Sequence, residues 1–360
     1  MSELIKYAVG IDVSKDKFDA CFCEMDISQN VKIKSSHTFP NKINGFKELD
    51  KWLQKYQKQD LPLIVCMEAT GVYYEKLAMC LHQNKYSVAV VLPNKSKKYM
   101  QALGLKSKND KIDAGGLGRM AAEQKLDLWQ PMGDFFYTLR QLTRHHEQLQ
   151  QSKTYFNNQL HALEHSAFEV KEVVTHQKKM IALIEKQIKE TFIAIEKHIN
   201  SNEEISQKVE NICKIKGVGL LTVSAVVAET NGFTLFKNIR QLVSYSGYDV
   251  VENQSGNHSG KTKISKKGNA HIRRILHMSS FQVVKYNQKP FVDLFDRVYA
   301  KTNIKMKGYV AVHKKLLIYI YTLWNNNEPY IQPIANSGNE EPESLFLLGS
   351  ERAIMEVGVK

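Results

Sequence analysis

Four acidic residues in the first third of the chain have the type and spacing needed to bind divalent metal ions. They are Asp12 in YAVGIDVSK, Glu68 in LIVCMEATG, and Asp110 and Asp113 in KSKNDKIDAGG. Two divalent ions about 4 Å apart can activate an attacking oxygen and stabilise a leaving one, and several carboxylates are needed to hold such a pair. We therefore predict that these four side chains are catalytic and bind two ions, Mg²⁺ or Mn²⁺.

The sequence around the first two acids predicts that strands position them. The apolar runs Tyr7–Val13 and Phe18–Cys23 flank a polar turn, which predicts a hairpin with Asp12 near the end of its first strand. The apolar run Leu61–Met67 predicts a strand buried on both faces. Glu68 then leaves the carboxyl end of a central strand, where ligands of open α/β sheets usually bind.

Asp110 and Asp113 lie three residues apart at the start of a helix predicted to reach about Gln124, so both face one side. An acid in a first helical turn also has an ordinary explanation, which is a favourable interaction with the helix dipole. Each acid taken alone is more often structural than catalytic, but buried strand ends are poor places for unpaired charge unless a cation neutralises it. Three neighbouring acids are predicted to be solvated: Asp16, Asp19 and Glu75.

The charge balance favours a polyanionic partner. The chain has 50 Lys and Arg against 37 Asp and Glu, a formal charge of +13, which favours nucleic acid through counterion release. One basic cluster surrounds Asp110 in the sequence and comprises Lys95, Lys97, Lys98, Lys106, Lys108 and Lys111. A second cluster comprises Lys261, Lys263, Lys266, Lys267, Arg273 and Arg274. We predict phosphate contacts for Lys108, Lys111 and the second cluster.

Length and composition predict a soluble globular protein of two or three domains. The chain has 360 residues, of which 43% are hydrophobic, and no apolar run approaches the roughly 20 residues of a membrane span. The amino terminus lacks a signal-peptide core, so we expect no membrane association and a cytoplasmic location. The five cysteines lie mostly in apolar runs, which is typical of reduced core residues.

The middle of the chain, residues 135–210, has the heptad spacing of a coiled coil. The first seam comprises Phe135, Leu139, Leu142, His146, Leu149, Lys153, Phe156, Leu160 and Leu163. After a break at Ser166–Glu172 the second comprises Val174, Ile181, Ile184, Ile188, Ile195 and Ile199. Two long antiparallel helices are the natural interpretation, and we expect them to contribute to a homodimer or homotetramer.

Residues 211–328 contain a glycine-rich turn and a polar loop. KIKGVGL, with Gly217 and Gly219, has the form of a helix-hairpin-helix whose backbone N–H groups could hold a phosphate. A purely structural turn between two helices explains the same glycines equally well. The polar loop QSGNHSGK begins at Gln254 and contains serines, which are weak nucleophiles unless neighbouring cations activate them. The tail 329–360 is acidic and weakly patterned, which is typical of a mobile segment.

The motifs GIDVSK, MEATG, KNDKIDA, IKGVG and QSGNHSGKTKISKKGNAHIRRIL occur in this order, and together they resemble the DEDD transposases of insertion sequence family 110 and the related pilin-gene invertases. The resemblance covers nearly everything to residue 328. It implies an RNase H-like (RuvC-like) α/β domain with a mixed sheet over 1–134, a coiled-coil hairpin over 135–210, and a mainly α-helical transposase carboxyl-terminal domain over 211–328. The family's metal-binding acids correspond to Asp12, Glu68, Asp110 and Asp113.

The resemblance also implies a mechanism and partners. The family's nucleophilic serine corresponds to Ser255 rather than Ser259. Mg²⁺ held by the acids helps this serine attack a DNA phosphate, which gives a covalent protein–DNA intermediate that is resolved through a Holliday-like junction. Many members are guided by a structured RNA, or bridge RNA, that pairs with donor and target DNA, and two subunits can complete each active site. A nucleoid-associated bacterial protein follows from this likeness.

Four alternatives remain open at this point. A metal-dependent junction resolvase or nuclease would use water and leave Ser255 idle, and a DNA invertase of the same family would act on a different DNA arrangement. An actin-like ATPase or sugar kinase shares the G-I-D-x-S opening, but its second glycine-rich phosphate loop is missing at the strand turns. A structural nucleic-acid-binding protein would bind DNA unchanged after Asp12→Asn.

Overall fold

The computed structural model describes residues 3–104, 109–168, 170–251, 254–255, 258–260 and 263–332. Two of the residues predicted to contact nucleic acid, Lys108 and Lys261, lie outside the described residues, as does the tail from residue 333. The chain divides into two compact units, Met1–Pro131 and Met132–Lys360. The predicted boundary after residue 134 lies close to this division.

The first unit contains a five-stranded mixed sheet of strand order β3-β2-β1-β4-β5. Its strands are β1 (Leu4–Val13), β2 (Lys17–Asp26), β3 (Val31–Pro40), β4 (Leu63–Glu68) and β5 (Ser87–Val91). Strand β1 pairs antiparallel with β2 and parallel with β4, while β2–β3 is antiparallel and β4–β5 parallel. The predicted mixed sheet, the hairpin around Asp12 and the central position of β4 are thereby confirmed.

Helices cover both faces of this sheet. They are α1 (Ile43–Tyr56), α2 (Glu75–Gln83), α3 (Pro93–Ala102) and α4 (Asp110–Glu123). One apolar cluster joins Phe18 and Phe22 of β2 to Leu49 and Leu53 of α1, and a second cluster lies against α4. Because both faces are covered, β1 and β2 are continuously buried and lack the alternation of a half-exposed strand.

The predicted role of the cysteines as reduced core residues agrees with the structure. All five are free: Cys21, Cys23 and Cys66 are buried, while Cys80 and Cys213 are half-buried.

The second unit begins with two long helices, α5 (Asp134–Glu164) and α6 (Lys171–Asn200). Contacts pair the start of one helix with the end of the other: His198 bonds the Phe135 carbonyl at 2.9 Å, and the Lys178 Nζ lies 3.0 Å from the Glu164 Oε1. The helices are therefore antiparallel, as predicted. The buried residues on these helices include three of the predicted seam positions on α5 and four on α6: Leu139, His146, Leu149, Val174, Ile184, Ile195 and Ile199.

The remainder of the second unit is mainly helical. Its helices are α7 (Glu203–Cys213), α8 (Leu220–Glu229), α9 (Ile239–Tyr245), α10 (Ala270–Lys285), α11 (Lys289–Thr302) and α12 (Lys305–Asn326). Four short strands, which the sequence did not predict, form two ladders: β6 (Val250–Val251) pairs with β9 (Lys263–Ile264), and β7 (Gln254–Ser255) pairs with β8 (His258–Ser259).

One apolar core joins the hairpin base to these helices. Leu139, Ile195 and Ile199 pack in the same cluster as residues of α8, α10 and α12, so the predicted segments 135–210 and 211–328 share a core. Tyr330, within the predicted tail, is only 8% exposed and its N–H donates to the Asn211 carbonyl at 3.2 Å. The packed core of the second unit therefore includes a residue beyond the predicted boundary at 328. In the part that the structure describes, no helix combines the length and hydropathy of a membrane span.

Candidate active site

Strand pairing brings Asp12 and Glu68 to one end of the sheet. Ile11 of β1 pairs with Met67 of β4 in parallel register, so the residues that follow them, Asp12 and Glu68, are neighbours across the two strands. This edge is the carboxyl end of both strands, where the sequence placed a ligand site.

A close approach of helix α4 to β1 brings Asp110 and Asp113 near Asp12. A Cβ added at Gly10 would lie 2.0 Å from the Ala114 carbonyl oxygen and 2.0 Å from the Gly118 N. Only glycine permits this approach, because any side chain at residue 10 would push the helix from the strand. Asn109 is the N-cap of this helix, and its side chain accepts a hydrogen bond from the Ile112 N–H at 2.8 Å, which fixes the first turn.

The electrostatics of Asp12 record this clustering of acids. Burial and, in decreasing order, the negative charges of Asp113, Asp110, Glu68 and Asp19 together raise the pKa of Asp12 to about 6. The four predicted acids therefore lie close enough to act on one another. Their mutual repulsion favours a cation at this edge of the sheet.

Two hydroxyl groups orient Glu68. The Ser96 Oγ donates to Glu68 Oε2 at 2.6 Å, and the Thr70 Oγ1 donates to Glu68 Oε1 at 3.0 Å. Ser96 is fully buried, so this contact is protected from water. Sequence reasoning missed both groups, because Ser96 lies in helix α3, which the apolar pattern does not reveal.

The prediction that Asp19 is solvated is wrong. Asp19 is 5% exposed and pairs directly with Asp12 across the β1–β2 hairpin. Its Oδ1 accepts a hydrogen bond from the Thr38 hydroxyl, and the Lys17 Nζ lies 3.4 Å from its Oδ2. The prediction failed because both faces of β2 are covered by other elements, so this strand has no solvent-facing side on which Asp19 could lie. Counting the antiparallel register back from the turn would have placed Asp19 opposite Asp12.

Lys17 is a second residue that sequence reasoning did not assign to the site. Its Nζ donates to the Asp110 Oδ2 at 2.9 Å, which lowers the pKa of Asp110. Of the other acids predicted to be solvated, Asp16 is exposed, whereas Glu75 is half-buried in the first turn of α2. The expectation therefore holds for Asp16 and fails in part for Glu75.

The donor set suits hard divalent cations, which prefer carboxylate oxygens. Four other carboxylates act on Asp12, whose pKa is raised by burial and by these neighbours. Across the described residues, no three His, Cys, Asp or Glu side chains are close enough together to hold one metal ion. The residues present therefore fit a cation by chemistry and location, although they do not form a closed ligand cage.

The predicted basic contacts fall into two groups. Lys111 is exposed in the first turn of α4, and Lys263, Lys266 and Lys267 are exposed in the second unit. Arg273 instead donates to the carbonyls of Ser246 at 3.0 Å and Asn269 at 3.2 Å, and Arg274 forms an ion pair with Glu147. These two guanidinium groups already have intramolecular partners that fix backbone and helix positions.

The glycine-rich turn joins helices α7 and α8, as predicted. Gly217 has φ +103°, and a Cβ there would lie 2.8 Å from the Gln282 carbonyl carbon. Both its backbone and its packing require glycine. Gly219, at the N-cap of α8, is exposed and a Cβ there would meet nothing within 4 Å. Backbone conformation and packing therefore explain the glycine at residue 217, whereas Gly219 leaves the N-terminus of α8 sterically accessible.

Ser255 lies in the second unit, in a short ladder. Its backbone pairs with His258 across β7 and β8, while Gln254 pairs with Ser259. This loop is followed by β9, which carries Lys263.

Comparison with known proteins identifies the family. Residues 9–169 match the model of the IS110 DEDD transposase, described as Transposase, and residues 209–295 match the model described as Transposase IS116/IS110/IS902 family. The chain is 29% identical over 335 residues to the pilin gene-inverting proteins of Moraxella bovis and Moraxella lacunata, covering 90% of this chain and 98% of each relative.

Solved structures give weaker likenesses. The Thermus thermophilus RuvC structure is 11% identical, covers 34% of this chain and 99% of its own, and has a TM-score of 0.27. RuvC from T. thermophilus in complex with Holliday junction substrate is 9% identical, covers 31% of this chain and 90% of its own, and has a TM-score of 0.25. TM-scores this low do not establish a shared fold, so the family is inferred from the family models and the relatives alone. The two matched segments are IS110 transposase domains, and together with the pilin gene-inverting relatives they indicate a DNA recombination enzyme that acts by phosphoryl transfer.

Proposed function

We propose that this protein cleaves and rejoins DNA with Asp12, Glu68, Asp110 and Asp113 as ligands of two Mg²⁺ or Mn²⁺ ions and with Ser255 as the nucleophile. The observation that carries the proposal is the clustering of these acids: the parallel register of β1 and β4 makes Asp12 and Glu68 neighbours, α4 packs closely on Gly10, and burial with the surrounding acids raises the pKa of Asp12 to about 6. Carboxylates that repel one another this strongly at a strand end are typical of a cation site. An RNase H-like fold for the first unit belongs to the same proposal, supported by its mixed sheet.

Each acid has a defined part. Asp12 and Glu68 extend from adjacent strands, and Asp110 and Asp113 from the first turn of α4. Ser96 and Thr70 hold both oxygens of Glu68 and thereby fix its orientation. When bound, the cations supply charge for the attacking and leaving oxygens of a phosphodiester. Because Asp12 is half-protonated near pH 6, cation binding requires it to release a proton.

The serine step follows from the chemistry of a hydroxyl and a phosphodiester. The Ser255 Oγ forms a bond to phosphorus while one P–O bond of the DNA breaks. The serine loses its proton, and the leaving deoxyribose oxygen gains one. The product is a covalent protein–DNA ester, which conserves the bond energy for rejoining. The exposed Lys263, Lys266 and Lys267, which follow Ser255 in the chain, would supply phosphate contacts.

The decisive experiment compares two serines of the same loop. Purified wild-type protein, Ser255→Ala and the matched control Ser259→Ala are incubated with Mg²⁺ and a labelled DNA junction, and the products are separated by denaturing electrophoresis. We expect a labelled protein band for the wild type and for Ser259→Ala, and no such band for Ser255→Ala. Excess chelator should abolish cleavage by the wild type and by Ser259→Ala.

A water-dependent resolvase is the second candidate. It is favoured by the acids alone, which could act without a serine. Continued cutting by Ser255→Ala, with no covalent adduct in the wild type, would establish it and exclude the serine mechanism.

Transposition and inversion differ in the DNA that is joined. The relatives at 29% identity are named for pilin gene inversion, whereas the family models name transposases. We propose transposition, with a bridge RNA as guide and a dimer or tetramer as the active assembly. Assays with a separate donor and target should give joined products, and RNase treatment of the purified complex should abolish them. Products only from two sites on one DNA, resistant to RNase, would favour an invertase.

The coiled-coil part of the proposal rests on the antiparallel helices α5 and α6. Their seam is polar at Lys153, whose Nζ lies 2.7 Å from the Glu185 Oε1 of the facing helix. Sedimentation of the purified protein would measure the number of subunits. A monomer at the concentrations used in the cleavage assay would contradict the proposed dimer or tetramer.

A further inference from the structure

Lys17 brings a positive charge into the acidic site and has no role in the proposed function. Its Nζ lies 2.9 Å from the Asp110 Oδ2 and 3.4 Å from the Asp19 Oδ2. The two carboxylates lie on β2 and α4, elements far apart in the chain. One ammonium therefore bridges two elements at the site where cations are expected.

Asp19 orients this ammonium. Asp19 and Lys17 are two residues apart on β2, so their side chains leave the same face of the strand. The Thr38 hydroxyl donates to the Oδ1 of Asp19, which is 5% exposed. With one oxygen taken by Thr38, the Oδ2 of this nearly buried carboxylate accepts from Lys17. The nearly buried Asp19 carboxylate thus holds the ammonium group in place, although the Lys17 side chain itself is half-exposed.

We propose that Lys17 is a resident counter-ion of the acidic site, which occupies Asp110 before a divalent cation binds and must release it when one does. This inference rests on the proposed function, since it takes Asp110 as a metal ligand. Lys17 then lowers the affinity of the site for divalent cations and, in their absence, offsets part of the repulsion among the acids.

The physical basis is competition for one carboxylate. An ammonium group and a divalent cation take the same oxygen lone pairs, and two cations a few Å apart repel. Removing Lys17 eliminates both penalties. Because its side chain is 51% exposed, water weakens the ion pair, so we expect a gain in cation affinity of about fivefold rather than several orders of magnitude.

The test measures Mn²⁺ binding directly, without DNA and without activity. Full-length protein freed of metal is titrated with Mn²⁺ by isothermal calorimetry as wild type, Lys17→Gln, Lys17→Arg and Lys15→Gln. Lys15→Gln is the matched control, since Lys15 is an exposed lysine of the same turn and its loss removes the same net charge. Circular dichroism checks that each variant is folded, and Lys17→Met replaces Lys17→Gln should the latter misfold.

We expect Lys17→Gln to bind Mn²⁺ about fivefold more tightly than Lys15→Gln, and Lys17→Arg to remain near the wild type. Equal affinities for Lys17→Gln and Lys15→Gln would overturn the inference and leave the metal site intact. Weaker binding by Lys17→Gln would overturn it as well, because Lys17 would then support the ligands. A wild-type protein that binds no Mn²⁺ would overturn the proposed metal site itself.

Discussion

Two carboxylates, one in each unit, are withdrawn from water in opposite electrostatic settings. Glu229 in α8 is 2% exposed and receives hydrogen bonds from Arg144 at 2.6 and 2.9 Å and from Asn269 at 2.6 Å. Burial by itself would raise the pKa of Glu229, but these donors outweigh burial and lower it. Asp12 is surrounded by other acids, and its pKa is raised to about 6.

This difference in neighbouring charge distinguishes a carboxylate with a structural role, Glu229, from one with a proposed catalytic role, Asp12. The charge of Glu229 is compensated by Arg144, so it ties helix α5 to α8. Glu147 of α5 acts in the same way, since it contacts the His271 Nδ1 at 2.6 Å and forms an ion pair with Arg274. At Asp12 the neighbouring charges named above are of the same sign, and among the described residues Lys17 pairs with two of them, Asp110 and Asp19. Such an arrangement costs stability unless a bound cation or substrate uses it.

The largest effect should come from Asp12→Asn. Loss of this proposed metal ligand should lower the rate of DNA cleavage by about 10³-fold or more, measured as the initial rate on a labelled junction in Mg²⁺. Asp16→Asn is the matched control, because Asp16 is an exposed acid of the adjacent turn, and its rate should match the wild type. Full activity of Asp12→Asn would place the chemistry elsewhere.

The next effect should come from Arg144→Met in the second unit. This change leaves Glu229 buried with Asn269 as its remaining side-chain donor, and should lower the free energy of unfolding by about 3 kcal/mol. Thermal unfolding followed by circular dichroism would measure it. The double variant Arg144→Met with Glu229→Met should recover part of the loss. A double variant as unstable as the single one would show that packing, not charge, is responsible.

The two turn glycines offer a further contrast between structural and functional roles. Gly217→Ala introduces a Cβ at a positive φ against helix α10 and should cost about 2 kcal/mol of stability. Gly219→Ala meets open space, so its melting temperature should be unchanged. If the turn holds a phosphate, Gly219→Ala should still weaken DNA binding in a fluorescence anisotropy titration. Unchanged DNA affinity would leave the turn a structural connection.

The smallest effect concerns stability and pH in the presence of chelator. The pKa of Asp12 is about 6 in the folded protein against an ordinary value of 3.8, so folding favours its protonated form. Its contribution to stability is present below about pH 4 and is lost as pH rises through about 6. Asp12→Asn should therefore raise the free energy of unfolding at pH 7 by about 1 kcal/mol, allowing for partial exposure of the carboxyl.

Urea unfolding of the wild type and Asp12→Asn between pH 4 and pH 7.5 would check this sign. The difference between the two proteins should shrink toward pH 4. A constant difference across the range would mean that Asp12 affects stability through packing rather than charge.

The sequence alone determined the strongly patterned elements of this protein. The hairpin, strand β4, helix α4 and the long helices α5 and α6 all follow from local periodicity and turn residues, which depend on neighbours a few positions apart. The four acids could be singled out because their motifs lie at the ends of such elements. Strand β3 escaped prediction because it is mostly exposed and has few apolar residues, so it lacks the signature of a buried strand.

Only the tertiary structure decided which charges meet. Lys17 and Asp110 are 93 residues apart, Ser96 and Glu68 are 28 apart, and Arg274 and Glu147 are 127 apart. No local pattern contains these pairs, because they depend on which strand faces are covered and how closely α4 approaches Gly10. The sequence named the acids of the site, whereas the packing of distant elements determined that Asp19 is buried among them and that Lys17 offsets part of their charge.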